Sequence, residues 1–112
     1  MSIGATVSVL RKARGLSLDD IEKITGISKA TLSRYERNLE GLGTDKFDKL
    51  CILFHTSPSV LYAVAKCVAQ RPEILDNGET LHQLVRGLSQ LIDSYLNATD
   101  EIRQQVDNLL KN

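Results

Sequence analysis

Apolar residues recur along this chain at helical spacing. Ile3, Val7 and Leu10 make one stripe, and Gly15 ends the element that carries it, predicting a helix over Ile3 to Ala13. Ile21 and Ile24 share a face in the next segment, and Leu32 and Tyr35 in the one after. Phe47, Leu50, Cys51 and Phe54 point one way in a fourth helix that starts at Thr44 as N-cap and ends at His55-Thr56. Ser57-Pro58 is a cap followed by proline in the first turn, a strong start signal. Val60, Leu61, Val64, Ala65 and Val68 continue that fifth stripe, and Arg71-Pro72 stops it. After the turn Asp76-Asn77-Gly78 the pattern lengthens. Leu81, Leu84, Leu88, Leu91 and Tyr95 are spaced 3, 4, 3, 4, and Val85, Ile92 and Leu96 widen the seam. Asn97 to Thr99 breaks it, with Thr99 as cap, and Ile102, Val106, Leu109 and Leu110 form a last stripe. The expected fold is all-α: five short helices, then a helical hairpin.

The segment from Ser17 to Arg37 is the most informative. Ser17 is a good N-cap, Asp20 three residues on can close a capping box, and Asp19 and Asp20 suit the positive end of a helix. Gly26 ends that helix where a left-handed residue is wanted, and Ser28 caps the next almost at once. On a wheel of about 100° per residue, Lys29, Ser33, Arg37, Ala30 and Arg34 fall within roughly 140°. Thr31, Tyr35, Leu32 and Glu36 take the other side. A solvated charged face would explain the cations alone. The paired caps, the short turn and the glycine at the joint favour a DNA-reading helix. Arg and Lys read guanine edges in the major groove, and a methyl group can touch thymine.

These residues resemble the lambda-repressor-like helix-turn-helix proteins, the Xre or Cro/repressor family. The likeness is carried by Leu10-Arg11-Lys12-Ala13-Arg14-Gly15-Leu16-Ser17, Thr25-Gly26-Ile27-Ser28 and Leu32-Ser33-Arg34-Tyr35-Glu36-Arg37. It continues through Leu50, Phe54, Ser57 and Leu61, so it spans about residues 3 to 62. The resemblance implies a five-helix head whose third helix enters the major groove, with Lys29, Ala30 and Arg34 facing bases. Ser17, Leu18, Ser28, Thr31, Ser33, Arg37, Asn38 and Lys46 complete the implied DNA-facing set. Leu18 stands where many relatives place a phosphate-touching Gln, Glu22 where a small Ala is common, and Asn38 where Gly is usual. Arg11 and Glu36 match a pair that bridges the first and third helices; a carboxylate at the edge of a buried face needs such a partner.

Charge sharpens the division of labour. The chain has 112 residues and a net charge of zero. Residues 1–70 hold ten Lys and Arg against seven Asp and Glu, a net of +3; residues 71–112 hold four against seven, a net of −3. This predicts a DNA-binding domain over 1–70 and an acidic helical hairpin over 71–112 that oligomerises or grips a partner. So short a hairpin cannot bury its apolar faces alone, so it packs on the head, on a second copy, or both; self-association is favoured, with Leu81, Leu84, Leu88, Leu91, Ile92 and Tyr95 as the expected oligomerisation residues. Gly87 lies mid-helix, where it permits close approach or is merely tolerated.

Other chemistry is sparse. Cys51 and Cys67 lack disulfide or metal spacing and read as core filler. His55 and His82 are isolated, so neither enzyme activity nor a metal or cofactor is expected. There is no apolar run of ~20 residues and no leader pattern, and a cytoplasmic location is expected. The sequence predicts a transcriptional regulator, a homodimeric repressor on a palindromic double-stranded operator. The alternative is an antitoxin or adaptor whose hairpin holds a partner protein while the head represses its own operon.

Overall fold

The computed structural model describes residues 3–97 and 100–111. The helices run α1 (Ile3–Ala13), α2 (Leu18–Thr25), α3 (Lys29–Glu36), α4 (Thr44–Leu53), α5 (Pro58–Gln70), α6 (Gly78–Leu96) and α7 (Asp100–Lys111). A short 3-10 turn, Pro72–Asp76, joins α5 to α6. Among the described residues there is no strand.

Local signals set most boundaries. Ser57 accepts a hydrogen bond from the Val60 amide with Pro58 in the first turn, and Asn77 accepts one from the Thr80 amide to start α6. Helix α4 departs from expectation by one residue. Gly43 is its N-cap, without a side-chain hydrogen bond, and Thr44 is already helical. The expected cap Thr99 lies outside the described residues.

The core collects Val7 and Leu10 from α1, Ile21 from α2, Leu32 and Tyr35 from α3, Phe47, Leu50 and Cys51 from α4, and Val60, Leu61, Val64 and Val68 from α5. Burial pushes the Cys51 thiol up to about 11, so it stays a neutral filler. Cys67 is exposed, against expectation, because it falls on the outer side of α5 between the inward Val64 and Val68. Ile24 also departs. It stays exposed, and Thr25 takes the buried place beside Ile21. The Thr25 hydroxyl donates to the Ile21 carbonyl at 2.8 Å and accepts from the Ile27 amide at 3.2 Å, which satisfies it in the interior. Arg14 closes one seam: it donates to the Leu53 carbonyl at 2.8 Å and lies over the Phe54 ring.

The core does not stop at residue 70. The 3-10 turn reverses the chain and lays the start of α6 on α1 and α5. Leu81 is 0% exposed and Val85 is also buried. Leu81 is therefore a core residue of the head and not an oligomerisation residue; Leu84 and Leu88 also pack partly against the head. Gly78 makes this approach possible, since a Cβ there would lie 2.9 Å from the Ala13 Cβ. Ser89 is where the docking ends. Its hydroxyl lies 3.2 Å from that of Thr56, and residues 90–97 are exposed throughout.

Beyond Ser89 the apolar seam is bare. Leu91 is 67% exposed, and Ile92, Tyr95 and Leu96 are exposed with it. Among the α7 residues whose burial is described, Arg103 and Val106 are partly covered and the rest are exposed, with Leu110 at 80%. The molecule is accordingly elongated, 48 × 29 × 23 Å. No single helix among the described residues is long and apolar enough to cross a membrane.

Candidate nucleic-acid interface

Helix α3 is held from its ends and its back. At the front of α2, the Asp20 amide donates to the Ser17 hydroxyl at 3.0 Å, and the Ser17 amide donates to the Asp20 carboxylate at 2.8 Å. Those Ser17 hydrogen bonds hold the Asp20 carboxyl below its usual range. At the far end of α2, Gly26 is left-handed (φ 78°) and its amide donates to the Glu22 carbonyl. The chain is thereby turned within three residues, and Ser28 caps α3 by accepting from the Thr31 amide at 3.2 Å.

The Glu22 carboxylate accepts from the Lys29 amide at 2.8 Å. A carboxylate suits the electropositive start of a helix, so Glu22 ties α2 to the first residue of α3. A small residue there could not. At the other end Asn38 is left-handed (φ 61°), and the Leu39 amide donates to the Arg34 carbonyl at 2.8 Å. Asn tolerates this conformation at the helix stop.

From behind, Arg11 grips Glu36. Its Nε and Nη2 donate to the two carboxylate oxygens at 2.8 and 2.9 Å. Only 11% and 8% of these side chains is exposed, and the remaining Arg11 Nη1 donates to the Leu16 carbonyl. The hydrogen bond to Glu36 raises the Arg11 pKa despite burial. This bidentate bridge fixes α3 on α1.

The result is a two-sided helix. Leu32 and Tyr35 are buried, and burial pushes the Tyr35 hydroxyl up to about 12. Lys29, Ala30, Arg34 and Arg37 are exposed on the opposite side, with Ser33 and Thr31 half-buried at its edges. The acidic C-terminal region does not cover this face: the described carboxylates on the cations belong to the head itself. Lys29 Nζ meets Asp19 at 3.1 Å, and Arg34 Nε donates to Glu40 at 2.9 Å. Arg37 Nε donates to the Ser33 carbonyl, a cation on its own helix end. Ser17, Ser28, Asn38 and Lys46 are exposed around this surface. Leu18 is different: it is half-buried and packs toward the core, as its apolar side chain requires.

An outward cationic helix, a three-residue turn and a capped support helix decide the matter together with one comparison: the helix-turn-helix family profile matches residues 9–61. Residues 9–61 are a helix-turn-helix domain of the lambda-repressor-like type. The match supports a DNA-binding role for this domain. The curated protein "Antitoxin PezA" of Streptococcus pneumoniae is 36% identical over 55 residues, 49% of this chain. That stretch is 35% of the antitoxin, so the similarity spans about a third of its length. No solved structure matches significantly.

Sequence reasoning identified the outward cations of the helix-turn-helix domain and the Arg11–Glu36 bridge, but not Glu22, Asp19 or Glu40. None of their contacts lies within one helix. Lys29 and Asp19 are ten positions apart on different helices, and Arg34 and Glu40 are six apart across a turn. The left-handed Asn38 bears on Glu40 alone: it sends the chain back toward α3 but does not mark which cation Glu40 meets.

Proposed function

We propose that the chain is a homodimeric repressor that reads a palindromic operator with α3 of each copy. The observation that carries this reading is the exposed face of Lys29, Ala30 and Arg34 above the buried Leu32 and Tyr35. Arg34 and Lys29 supply base-edge hydrogen bonds and Ala30 a methyl contact, while Ser17, Ser28, Arg37, Asn38 and Lys46 hold the backbone. The bare seam of Leu91, Ile92, Tyr95 and Leu96 supports pairing of two copies. Pairing would present two heads to half-sites about 34–36 Å apart. The chain acts by binding, without an enzymatic step, at a DNA site within the cell.

Selection of duplexes from a randomised pool tests this. The enriched sites should be inverted repeats, and Arg34→Ala should weaken the selected site by about 1–3 kcal/mol and relax one base pair in each half. Enrichment of single, unrepeated sites by a chain that sediments as a monomer would overturn it.

A second reading has one observation in its favour, the similarity to a protein named as an antitoxin. The exposed apolar residues of α6 and α7 would then hold a partner protein. A stoichiometric complex with the product of an adjacent gene, formed in place of the homodimer, would favour that reading.

A further inference from the structure

Arg34, assigned to a base edge in the reading above, is already engaged on one side. Its Nε donates to Glu40 at 2.9 Å, and its terminal nitrogens make no hydrogen bond among the described residues. Glu40 comes from the loop after α3, not from the helix. The left-handed turn at Asn38 returns the chain so that the carboxylate stands beside the guanidinium. Both side chains are half-exposed, so the pair lies on the open face of α3.

We infer that Glu40 is a positioning residue that makes Arg34 a guanine reader. The inference rests on the assignment of α3 to the major groove. A guanidinium is planar, with five donors in fixed directions. Holding Nε in that plane leaves the Nη1/Nη2 edge as the free pair of parallel donors. Guanine presents O6 and N7 as two matching acceptors, so a bidentate contact needs the edge to arrive in one orientation. An unheld arginine can also clasp phosphate, which carries no sequence information. The Glu40 charge opposes that second use, because a phosphate near Arg34 is also near a carboxylate. As an exposed ion pair it adds little to folding.

The neighbouring pair shows why the inference falls on Arg34. Lys29 meets Asp19 at 3.1 Å, but an ammonium carries its donors on one freely rotating nitrogen. Asp19 can lower the free charge of Lys29 without fixing a direction. Of the two cations assigned to base edges, Arg34 is the one whose partner couples to an orientation.

The test compares the full-length chain with Glu40→Ala, Glu40→Gln and Arg34→Ala. Each is measured at fixed salt against the site selected by the unaltered chain, its single-base-pair variants and a scrambled duplex. Glu40→Ala should lower discrimination about tenfold at one base pair per half-site, the pair that Arg34→Ala also relaxes. Its binding to the scrambled duplex should rise, since a negative charge is gone. Glu40→Gln keeps an acceptor for Nε, so it should restore discrimination while sharing that rise. In the Arg34→Ala background, Glu40→Ala should change nothing at that base pair. Unchanged melting and helix content separate positioning from folding. A Glu40→Ala profile matching the unaltered chain at every base pair overturns the inference and leaves DNA reading intact, as does a Gln variant that behaves like the Ala variant. If the unaltered chain enriches no sequence, base reading by α3 fails and the inference falls with it.

Discussion

From Gly78 to Val85, α6 lies against α1 and α5; from Gln90 to Leu96 every residue of the same helix is exposed. The apolar spacing is continuous across both stretches, through Leu81, Leu84, Leu88, Leu91 and Tyr95. One stripe therefore meets two environments. The first half finishes the core of the DNA-binding head, and the second half has no cover within the monomer. A helical stripe states that a face wants burial, but not which surface supplies it. Here the 3-10 turn decides, because it delivers only the first turns of α6 onto the head.

The harshest test of this division is to cut the chain on either side of it. A chain ending at residue 70 loses Leu81 and Val85 and uncovers α1 and α5. It should lose its cooperative thermal transition. A chain ending at residue 90 keeps both residues and the Thr56–Ser89 contact. It should melt within a few degrees of the full chain when both are dilute. Circular dichroism during heating reads the difference. A sharp transition in the 70-residue chain would show that the head closes without α6.

Single substitutions should show the same contrast on a smaller scale. Leu81→Ala removes a side chain with 0% exposure and should cost about 2–5 kcal/mol in urea unfolding. Leu91→Ala acts where the side chain is 67% exposed and should stay within about 0.5 kcal/mol under dilute conditions. The order reverses for association. Leu91→Ala should weaken self-association in sedimentation equilibrium at higher concentration, whereas Leu81→Ala acts on folding. Equal costs for the two in dilute urea would mean that the second half of the seam is also covered within the monomer.

The legible parts of the molecule are those set by neighbours in sequence. The Ser17 capping box, the left-handed Gly26 and Asn38, and the Ser28 and Ser57 caps each depend on residues within one helical turn. So does the sorting of α3 into outward cations and inward Leu32 and Tyr35. The Arg11–Glu36 bridge spans 25 positions and was legible because the whole motif fixes its spacing. What escaped depends on three-dimensional return of the chain. Leu81 has the same local pattern as Leu91, and only the direction of the Pro72–Asp76 turn separates them. Asp19 and Glu40 sit among solvated residues, and nothing local marks either as the partner of a particular cation. Charge totals follow the order of the chain and not its packing. The sign changes near residue 70, while the core continues to Val85.

The two glycines of α6 make a finer comparison, with opposite signs expected within one helix. Gly78 lies in the docked half, and a Cβ there would stand 2.9 Å from the Ala13 Cβ, a short side chain that cannot swing aside. Gly78→Ala must push α6 from α1, with a cost of about 1–3 kcal/mol typical of overpacking. Gly87 faces open space, with nothing within 4 Å of a built Cβ. There the helix gains from a better former, and Gly87→Ala should stabilise the dilute chain by about 0.5–1 kcal/mol. Urea unfolding of both variants at low and high concentration completes the test. If Gly87→Ala stabilises the dilute chain but weakens association, the open side of Gly87 is where a second α6 comes close. If it stabilises at every concentration, Gly87 takes no part in association.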